Sequence, residues 1–291
     1  MANVLITGAG SGFGRLTLEA LLQRGHTVVG SARDIDGRNK APAEELRALG
    51  AQVVEMDVTD DGSVEAAVAQ ALEGAGGLDV VVNNAGLGVI GAQESFTADD
   101  WQRVFDVNVF GVQRVNRAVL PHMRARGSGL LLQISSLLGR VTMPFYGPYN
   151  ASKWAVEAMA ENYRVELSGF GVDVAIVEPG GFATPFGDNL MRPSGLGCDE
   201  VLTSTQERAE GFLHGFGETL AANPAQDPQL VADTVVSVIE TPAGQRSFRT
   251  VVDKMGMGDA IQPYNEQLAQ LTSGLYAAFD MGDLLKLKTQ E

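Results

Sequence analysis

The sequence predicts an α/β protein: a doubly wound parallel sheet of seven strands in a three-layer αβα sandwich. Short runs rich in β-branched residues alternate with longer helical patterns along the chain. Several runs are apolar at consecutive positions, such as Val80-Val81-Val82, which is typical of strands buried on both faces. A glycine-rich turn follows the first run directly.

The seven predicted strands span Val4 to Thr7, Thr27 to Ala32, Gln52 to Met56, Asp79 to Asn83, Leu130 to Ser135, Asp173 to Glu178 and Thr250 to Asp253. Helical patterns fill the intervals between them, at about 14–24, 42–49, 62–74, 98–125, 149–168 and 228–240. Right-handed crossovers bring the carboxyl ends of parallel strands to one edge of the sheet. Functional residues are therefore expected just after strands.

The chain is predicted to form one domain with two appended parts. Residues 185–223 are rich in Gly, Pro and Ser and separate a strand from the next helix by more than an ordinary connection, which suggests a substrate lid. Residues 254–291 form a C-terminal extension without a chemical signature.

Composition excludes several classes of function. The 291 residues are 45% hydrophobic and 20% charged, as in ordinary globular proteins. A net charge of −15 disfavours nucleic acid and anionic membranes. The lone cysteine, Cys198, forbids an internal disulfide and a multi-thiolate zinc site. With no basic leader at Met1 and no apolar stretch near ~18 residues, we expect a cytoplasmic protein.

The glycine-rich turn predicts a dinucleotide site. It follows the first strand and opens the first helix, where glycine allows close backbone approach and the helix N-terminus favours the pyrophosphate charge. The alternative is a turn that serves packing alone. The residues of this turn expected to touch the cofactor are Gly8, Ser11, Gly12, Phe13 and Gly14.

Two further motifs lie at strand ends. Asp57-Val58 closes the third strand, and Asn83-Asn84-Ala85-Gly86 closes the fourth. Together with the T-G-x-x-x-G-x-G turn, they make the chain resemble the short-chain dehydrogenase/reductase family over residues 3 to about 253. The resemblance implies a Rossmann-type fold in which Asp57 and Val58 face the adenine. It also implies that Asn84, Ala85 and Gly86 line the cofactor.

The end of the second strand favours NADP(H) over NAD. Ala32 stands where an acid would accept hydrogen bonds from the ribose 2′-hydroxyl, and Arg33 offers a forked set of donors to a 2′-phosphate. Arg15 and Arg38 are weaker candidates. Asp34 is placed to neutralise Arg33, so an NAD-dependent enzyme stays the alternative.

Tyr149 and Lys153 predict a catalytic pair. Four residues apart on a predicted helix, they share a face, where the ammonium is expected to lower the phenol pKa. Ser136 lies thirteen residues upstream of Tyr149 and Asn108 forty-one, the spacings of the family's tetrad. The resemblance implies that Tyr149 donates the proton, Ser136 holds the substrate oxygen, Lys153 binds ribose and Asn108 anchors a relay water.

Neighbouring residues offer weaker alternatives. Tyr146 lacks a cation four residues on, and Ser135 should point to the face of the strand opposite Ser136. After the sixth strand, the resemblance places three further residues at the nicotinamide: Pro179, Gly180 and Thr184.

The sequence therefore predicts an NADP(H)-dependent oxidoreductase of the carbonyl (keto) reductase type, acting on a ketone, aldehyde or secondary alcohol. A non-catalytic NADP-binding redox sensor is the alternative outside enzymes. The resemblance implies a homo-dimer or homo-tetramer, paired through helices at about 98–125 and 149–168. An apolar or bulky small-molecule substrate is suggested by residues expected at the pocket mouth: Leu87, Val89, Leu137, Leu138, Val141, Met143, Phe145, Phe182, Phe186, Leu190 and Met191.

Overall fold

The computed structural model describes residues 1–195 and 200–289. Its strands are β1 Asn3–Ile6, β2 Thr27–Ala32, β3 Gln52–Glu55, β4 Val80–Asn83, β5 Gly129–Ile134, β6 Val172–Pro179 and β7 Arg249–Val252. Its α-helices are α1 Gly12–Gln23, α2 Lys40–Ala48, α3 Asp61–Ala75, α4 Ala98–Phe105, α5 Gly111–Arg126, α6 Gly147–Ser168, α7 Pro185–Asp188, α8 Glu200–Ala221, α9 Gln229–Glu240 and α10 Gly258–Ala278.

All seven strands run parallel in one sheet, in the order β3-β2-β1-β4-β5-β6-β7. Leu5 of β1 pairs with Val29 of β2 on one side and with Val81 of β4 on the other. The strand order reverses between β1 and β4, where open α/β sheets bind ligands. The predicted Rossmann-type fold and strand number are confirmed.

Helices bury both faces of the sheet. Leu18 of α1 and Val235 of α9 pack in a core on one face, and Val68 of α3 and Val119 of α5 pack in a core on the other. Strand residues alternate between the two cores, with Leu5 in the second. Both faces are therefore apolar, which explains the continuous apolar runs in the sequence.

The helix predicted over 98–125 is interrupted. A π-helical turn, Asp106–Phe110, separates α4 from α5. Asn108 lies in this turn, where its side-chain amide exchanges hydrogen bonds with the backbone of Leu87 at 2.7 and 2.9 Å. The extra residue in the turn aims Asn108 at the loop after β4, and such bulges often mark functional sites.

The predicted lid and extension both contain helices that the sequence patterns did not predict. Residues 185–195 and 200–223 hold α7 and the 22-residue α8, while the extension holds α10 and a short 3₁₀ turn, Gly282–Leu285. Residues 196–199, and with them Cys198, lie outside the described residues. In the described ranges, no helix has both the length and the hydropathy to cross a membrane.

Candidate active site

The turn between β1 and α1 needs its glycines. Gly8 and Gly12 have φ of +68° and +53°, a region that side chains rarely adopt. A Cβ on Gly14 would stand 2.4 Å from the carbonyl oxygen of Gly8, so only glycine allows this helix start to lie against the turn. Ser11 is the N-cap residue of α1, and the Phe13 ring packs edge-on against Phe182 at 5.6 Å.

The loop after β4 is tied to this turn. The Thr7 hydroxyl accepts hydrogen bonds from the backbone N–H groups of Asn84 and Ala85, both at 3.0 Å. The Asn84 amide donates to the carbonyls of Thr7 and Gly8 at 2.9 and 3.1 Å. Asn84 therefore holds the glycine turn to β4. Gly86 faces the other half of the site, since a Cβ there would lie 4.0 Å from the Lys153 ammonium.

Asp57 and Arg33 lie together at the end of the sheet. The Asp57 carboxylate accepts hydrogen bonds from the backbone and hydroxyl of Thr59 at 2.9 and 2.7 Å. Burial raises the pKa of Asp57, but the Thr59 hydrogen bonds together with Arg33 and Arg114 outweigh it and lower the pKa below its usual range. Val58 is buried against the second core.

Arg33 is available for a ligand. Its side chain is 56% exposed, and its guanidinium lies 3.9 Å from the Asp57 carboxylate. Asp34, which the sequence placed as a possible neutraliser, instead adopts φ +51° and accepts a hydrogen bond from the backbone N–H of Arg38 at 2.9 Å. Arg15 is engaged elsewhere, in ion pairs with Glu19 at 2.8 Å and Glu45 at 2.6 Å.

Asn108, Ser136, Tyr149 and Lys153 meet at the carboxyl edge of the sheet. The Ser136 hydroxyl lies near enough to the Tyr149 phenol to act on the phenol pKa, which it lowers. The Lys153 ammonium lies 5.6 Å from the Tyr149 ring centre and donates to the carbonyl of Ile134 at 2.8 Å. All four side chains are buried, so their polar groups are shielded from bulk water.

Burial dominates the titration of this group. It raises the pKa of Tyr149 to about 12, and the Ser136 hydroxyl only partly opposes it. This differs from the expectation that the neighbouring cation lowers the phenol pKa. Burial also lowers the pKa of Lys153 to about 8, with Glu157 opposing the shift. At neutral pH the phenol therefore carries its proton and the ammonium its charge.

The alternative residues occupy different surroundings. Ser135 points away from Tyr149: its buried hydroxyl has no hydrogen-bond partner in the described part of the chain, and a Cβ on Gly139 would lie 3.0 Å from it. Tyr146 packs in an apolar cluster with Val89 and Phe96, and burial raises its pKa.

The turn after β6 faces the glycine turn. The Gly180 N–H donates to the carbonyl of Val252 at 2.8 Å, and Pro179 ends the buried strand. Thr184 is the N-cap residue of α7, and a Cβ on Gly12 would lie 3.8 Å from the Thr184 Cβ. The two turns are therefore neighbours at the carboxyl edge of the sheet, and the region between them is the candidate cleft.

Two residues that the sequence analysis missed hold this turn. The buried Gln226 amide donates to the Gly181 carbonyl at 2.6 Å and to Asp253 at 3.2 Å. Asp253 directly follows β7, so the rule that function lies after strands would have identified it. Gln226 lies in an irregular segment with no sequence signal.

A cluster of buried charged side chains connects α6, β6 and β7, the elements next to the candidate site. Arg140, four residues after Ser136, pairs with Glu157 of α6, and Arg249 of β7 pairs with the same carboxylate at 2.9 Å. Glu178, just before the β6 turn, lies 3.2 Å from Arg140 and accepts a hydrogen bond from Asn265 of α10. Burial, then Glu157, raises the pKa of Glu178 to about 8. The extension is thus attached to the elements of the site.

An aromatic row covers the cleft. Phe186 of α7 lies 5.8 Å from the Tyr149 ring and packs on Gly88, where a Cβ would lie 2.5 Å from it. Phe212 and Phe216 of α8 stack at 5.9 Å, and Phe216 covers Gly181 in the same way.

These residues fit a dinucleotide. Side chains on Gly8 or Gly12 would strain the backbone, and the carboxyl edge of the sheet carries both the exposed cation of Arg33 and the buried phenol of Tyr149.

Comparison with known proteins gives consistent matches. A model of the family described as short chain dehydrogenase matches residues 2–194. A 3-ketodihydrosphingosine reductase from Bacteroides thetaiotaomicron is 38% identical over 213 residues, 73% of this chain and 74% of that protein. The 17-beta-hydroxysteroid dehydrogenase type 1 of Mus musculus is 34% identical over 247 residues, covering 82% and 70%. Retinol dehydrogenase 8 of Homo sapiens is 34% identical over 250 residues, covering 82% and 78%.

Solved structures match in the same way. A short-chain dehydrogenase from Streptomyces avermitilis has a TM-score of 0.76 at 30% identity, covering 97% of this chain and 99% of that one. One from Burkholderia phymatum in complex with NAD has a TM-score of 0.75 at 29% identity, covering 92% and 95%. The actinorhodin polyketide ketoreductase with NADPH has a TM-score of 0.73 at 29% identity, covering 88% and 97%.

Proposed function

The chain belongs to the short-chain dehydrogenase family, and from this membership we propose that it is an NADP(H)-dependent carbonyl reductase. It would transfer hydride between nicotinamide and the carbon of a ketone, aldehyde or secondary alcohol. The observation that carries the proposal is the burial of the Tyr149 phenol together with Ser136 and Lys153, with the Lys153 ammonium 5.6 Å from the Tyr149 ring centre.

Each side chain has a role in the reductive direction. Bound in the cleft, the reduced nicotinamide would supply the hydride that reaches the carbonyl carbon. Tyr149 holds the proton that the carbonyl oxygen takes up, so no charge accumulates on that oxygen. Ser136, whose hydroxyl lies near the phenol and lowers its pKa, would orient the phenol and the substrate oxygen. Lys153 favours the phenolate that remains after proton transfer.

Asn108 supports Tyr149 through hydrogen bonds at the start of α6. Its amide donates to the Ser152 hydroxyl at 2.9 Å, and Ser152 donates in turn to the Tyr149 carbonyl at 2.8 Å. The π-helical turn therefore fixes the start of α6, where Tyr149 lies. We propose that Asn108 also anchors the relay water implied by the family resemblance.

The preference for NADP(H) rests on Arg33. Its exposed, forked cation suits a 2′-phosphate, and Asp34 is engaged with the Arg38 backbone. Arg33→Ala should weaken NADPH binding by about tenfold or more, since hydrogen bonds between charged groups are strong, and change NADH binding little. Arg47→Ala, on the nearby α2, is the matched control. Equal loss for both cofactors would favour an NAD-dependent alcohol dehydrogenase.

We propose an apolar or bulky substrate. Phe186, Phe212 and Phe216 give the cleft an aromatic cover. The names of the curated relatives, a ketosphingoid reductase, a steroid dehydrogenase and a retinol dehydrogenase, are those of enzymes for large apolar molecules. A kinetic panel of ketones should show rising kcat/KM with apolar size. A preference for small charged ketones would contradict this.

The competing hypothesis is a redox sensor that binds NADP without turnover. Tyr149→Phe should abolish ketone reduction and leave NADPH affinity nearly unchanged, because the hydroxyl is lost and the ring remains. Tyr146→Phe, three residues away and without a catalytic role in the proposal, should retain turnover. A wild-type protein that binds NADPH but reduces no ketone in the panel would favour the sensor.

The proposal also includes a cytoplasmic location and pairing of copies through α5 and α6. The support for pairing is two exposed aromatic rings, Phe110 beside α5 and Trp154 on α6. Size measurement in solution distinguishes monomer, dimer and tetramer.

A further inference from the structure

A cavity of about 390 Å³ lies at the edge of the sheet opposite the candidate active site. It is lined by the end of α6, the beginning of β6, the loop before β7 and the segment that follows the Gly282–Leu285 turn. Its charged residues are Arg164, Asp173, Arg246 and Lys286. The cavity thus joins the body of the protein to its C-terminal extension.

The carboxylate in this lining, that of Asp173, already has hydrogen-bond partners. Asp173 accepts a hydrogen bond from Arg246 at 2.9 Å, one from the Gly244 N–H at 3.4 Å and one from its neighbour Val174 at 3.0 Å. Arg246 also donates to the carbonyls of Val238 and Ile239. These two residues therefore neutralise each other.

Two cations remain. Arg164 is half-buried, and its guanidinium stacks 4.5 Å from the centre of the Phe248 ring. Within residues 1–195 and 200–289, its side chain shows no hydrogen bond and no ion pair, although Asp173 and Glu161 act on it electrostatically. Lys286 is exposed, and its ammonium has no ion pair in the same ranges.

The nearest other charges are already engaged. Arg249 stacks on Phe248 at 4.6 Å but pairs with Glu157 at 2.9 Å and with Glu161 at 2.5 Å. Glu161 therefore pairs with Arg249, and the described residues show no ion pair between Glu161 and Arg164. A guanidinium held by a ring, with its five donors directed at no carboxylate, is arranged to bind an anion from solution.

We propose that this cavity is a binding site for a small oxyanion, a carboxylate or a phosphate, held by Arg164 and Lys286. Arg164 supplies the planar fork that matches such anions, and Lys286 supplies a mobile point charge. Phe248 and Leu285 give the cavity an apolar wall, which suits an anion with a short hydrocarbon portion. Because Arg164 belongs to α6 and Lys286 to the extension, the anion joins the extension to α6.

The experiment uses the full-length protein without nucleotide, so it does not depend on turnover. Sodium citrate and sodium phosphate are titrated by calorimetry against sodium chloride of equal ionic strength, and thermal unfolding is followed in the same solutions. We expect binding of at least one oxyanion with a Kd on the order of 1 mM or below, and a higher Tm than in chloride. Citrate and phosphate together distinguish a carboxylate site from a phosphate site.

Variants locate the anion. Arg164→Gln should weaken binding by about tenfold or more, and Lys286→Gln, an exposed change that leaves the fold intact, should weaken it less. Arg47→Gln is the matched control. Arg33→Ala should keep the binding event that Arg164→Gln weakens. Binding that is lost in Arg33→Ala and kept in Arg164→Gln would move the anion to the proposed cofactor cleft and overturn the proposal, as would absence of binding up to about 10 mM.

Discussion

Gln226 and Gly181 are joined by a hydrogen bond of 2.6 Å across 45 residues of sequence, from the Gln226 amide to the Gly181 carbonyl. The same side chain donates to Asp253 at 3.2 Å and accepts from the Lys254 N–H at 2.6 Å. One buried amide thus connects the turn after β6 to the end of β7. The proposed nicotinamide turn depends on this connection for its position.

Gln226→Leu should weaken both the fold and cofactor binding. The change removes the hydrogen-bond partner of the partly buried Gly181 carbonyl and of the Lys254 N–H, at a cost of about 1 kcal/mol each. Urea denaturation measures the loss of stability, and fluorescence titration with NADPH measures the loss of affinity. Gln229→Leu, which removes only an exposed hydrogen bond to Asp233, is the control. Unchanged affinity in Gln226→Leu would show that the turn keeps its position without the amide.

The glycine turn offers two substitutions with different expected costs. A Cβ on Gly14 would stand 2.4 Å from the Gly8 carbonyl oxygen and 2.5 Å from the Asn84 amide, whereas a Cβ on Gly10 would meet its neighbours at 4.0 Å. Gly14→Ala should therefore lower the free energy of unfolding by about 1–3 kcal/mol, and Gly10→Ala by much less. Denaturation of the nucleotide-free protein makes the comparison. Equal losses would mean that the turn relaxes around a side chain.

Glu178 gives a pH dependence of stability. Its pKa is raised to about 8 in the folded protein, so between about pH 4.5 and 8 the unfolded state loses this proton while the folded state keeps it. The contribution of Glu178 to the free energy of unfolding therefore falls as pH rises through that window, by at most about 1.4 kcal/mol per pH unit.

Glu178→Gln should flatten this decline, because the amide stays neutral and still accepts from Asn265. The free energy of unfolding is measured for the wild type and the variant at about pH 5, 6, 7 and 8. Parallel curves for the two proteins would contradict the assignment. Asp233→Asn, at an exposed carboxylate of α9, controls for the loss of one titratable carboxyl group.

Helix α8 is weakened by glycines that nothing in their surroundings requires. Cβ atoms on Gly211 and Gly215 would meet no atom within 4 Å, and neither residue has a positive φ. Gly211→Ala and Gly215→Ala should each stabilise α8 by about 0.5–1 kcal/mol. Slower amide hydrogen exchange in α8 would register this gain.

The contrast is Gly111→Ala at the start of α5, where a Cβ would lie 2.9 Å from Val58 and should destabilise the protein. Because α8 covers the cleft with Phe212 and Phe216, its stabilisation should also lower kcat for bulky ketones if the helix must move to admit them. Faster exchange in the α8 variants would refute the prediction.

The sequence located the strands and the motifs that follow them because these signals are local. Val80-Val81-Val82 predicts a strand buried on both faces wherever it occurs, and the glycines after β1 are set by backbone conformation. Parallel topology then brings the ends of β1, β4, β5 and β6 to one edge. The family, the fold and the adjacency of Tyr149 and Lys153 on one helix face followed from such patterns.

Long-range contacts decided the rest. The helical pattern over 98–125 gave no sign of the π-helical turn, which is fixed by Asn108 binding Leu87 and Ser152. The many glycines of α8 concealed a helix that packing stabilises in place of propensity. The cation's expected effect on the Tyr149 pKa was outweighed by burial, a property of the assembled fold.

By itself, then, the sequence determined the architecture and the chemical groups at its edge, since both depend on residue type and spacing along one element. Only the tertiary structure decided which polar groups are satisfied, such as Asp173 by Arg246, and which are left with donors to spare, such as Arg164. The physical reason is that hydrogen-bond satisfaction and desolvation depend on neighbours that the chain brings together from distant positions.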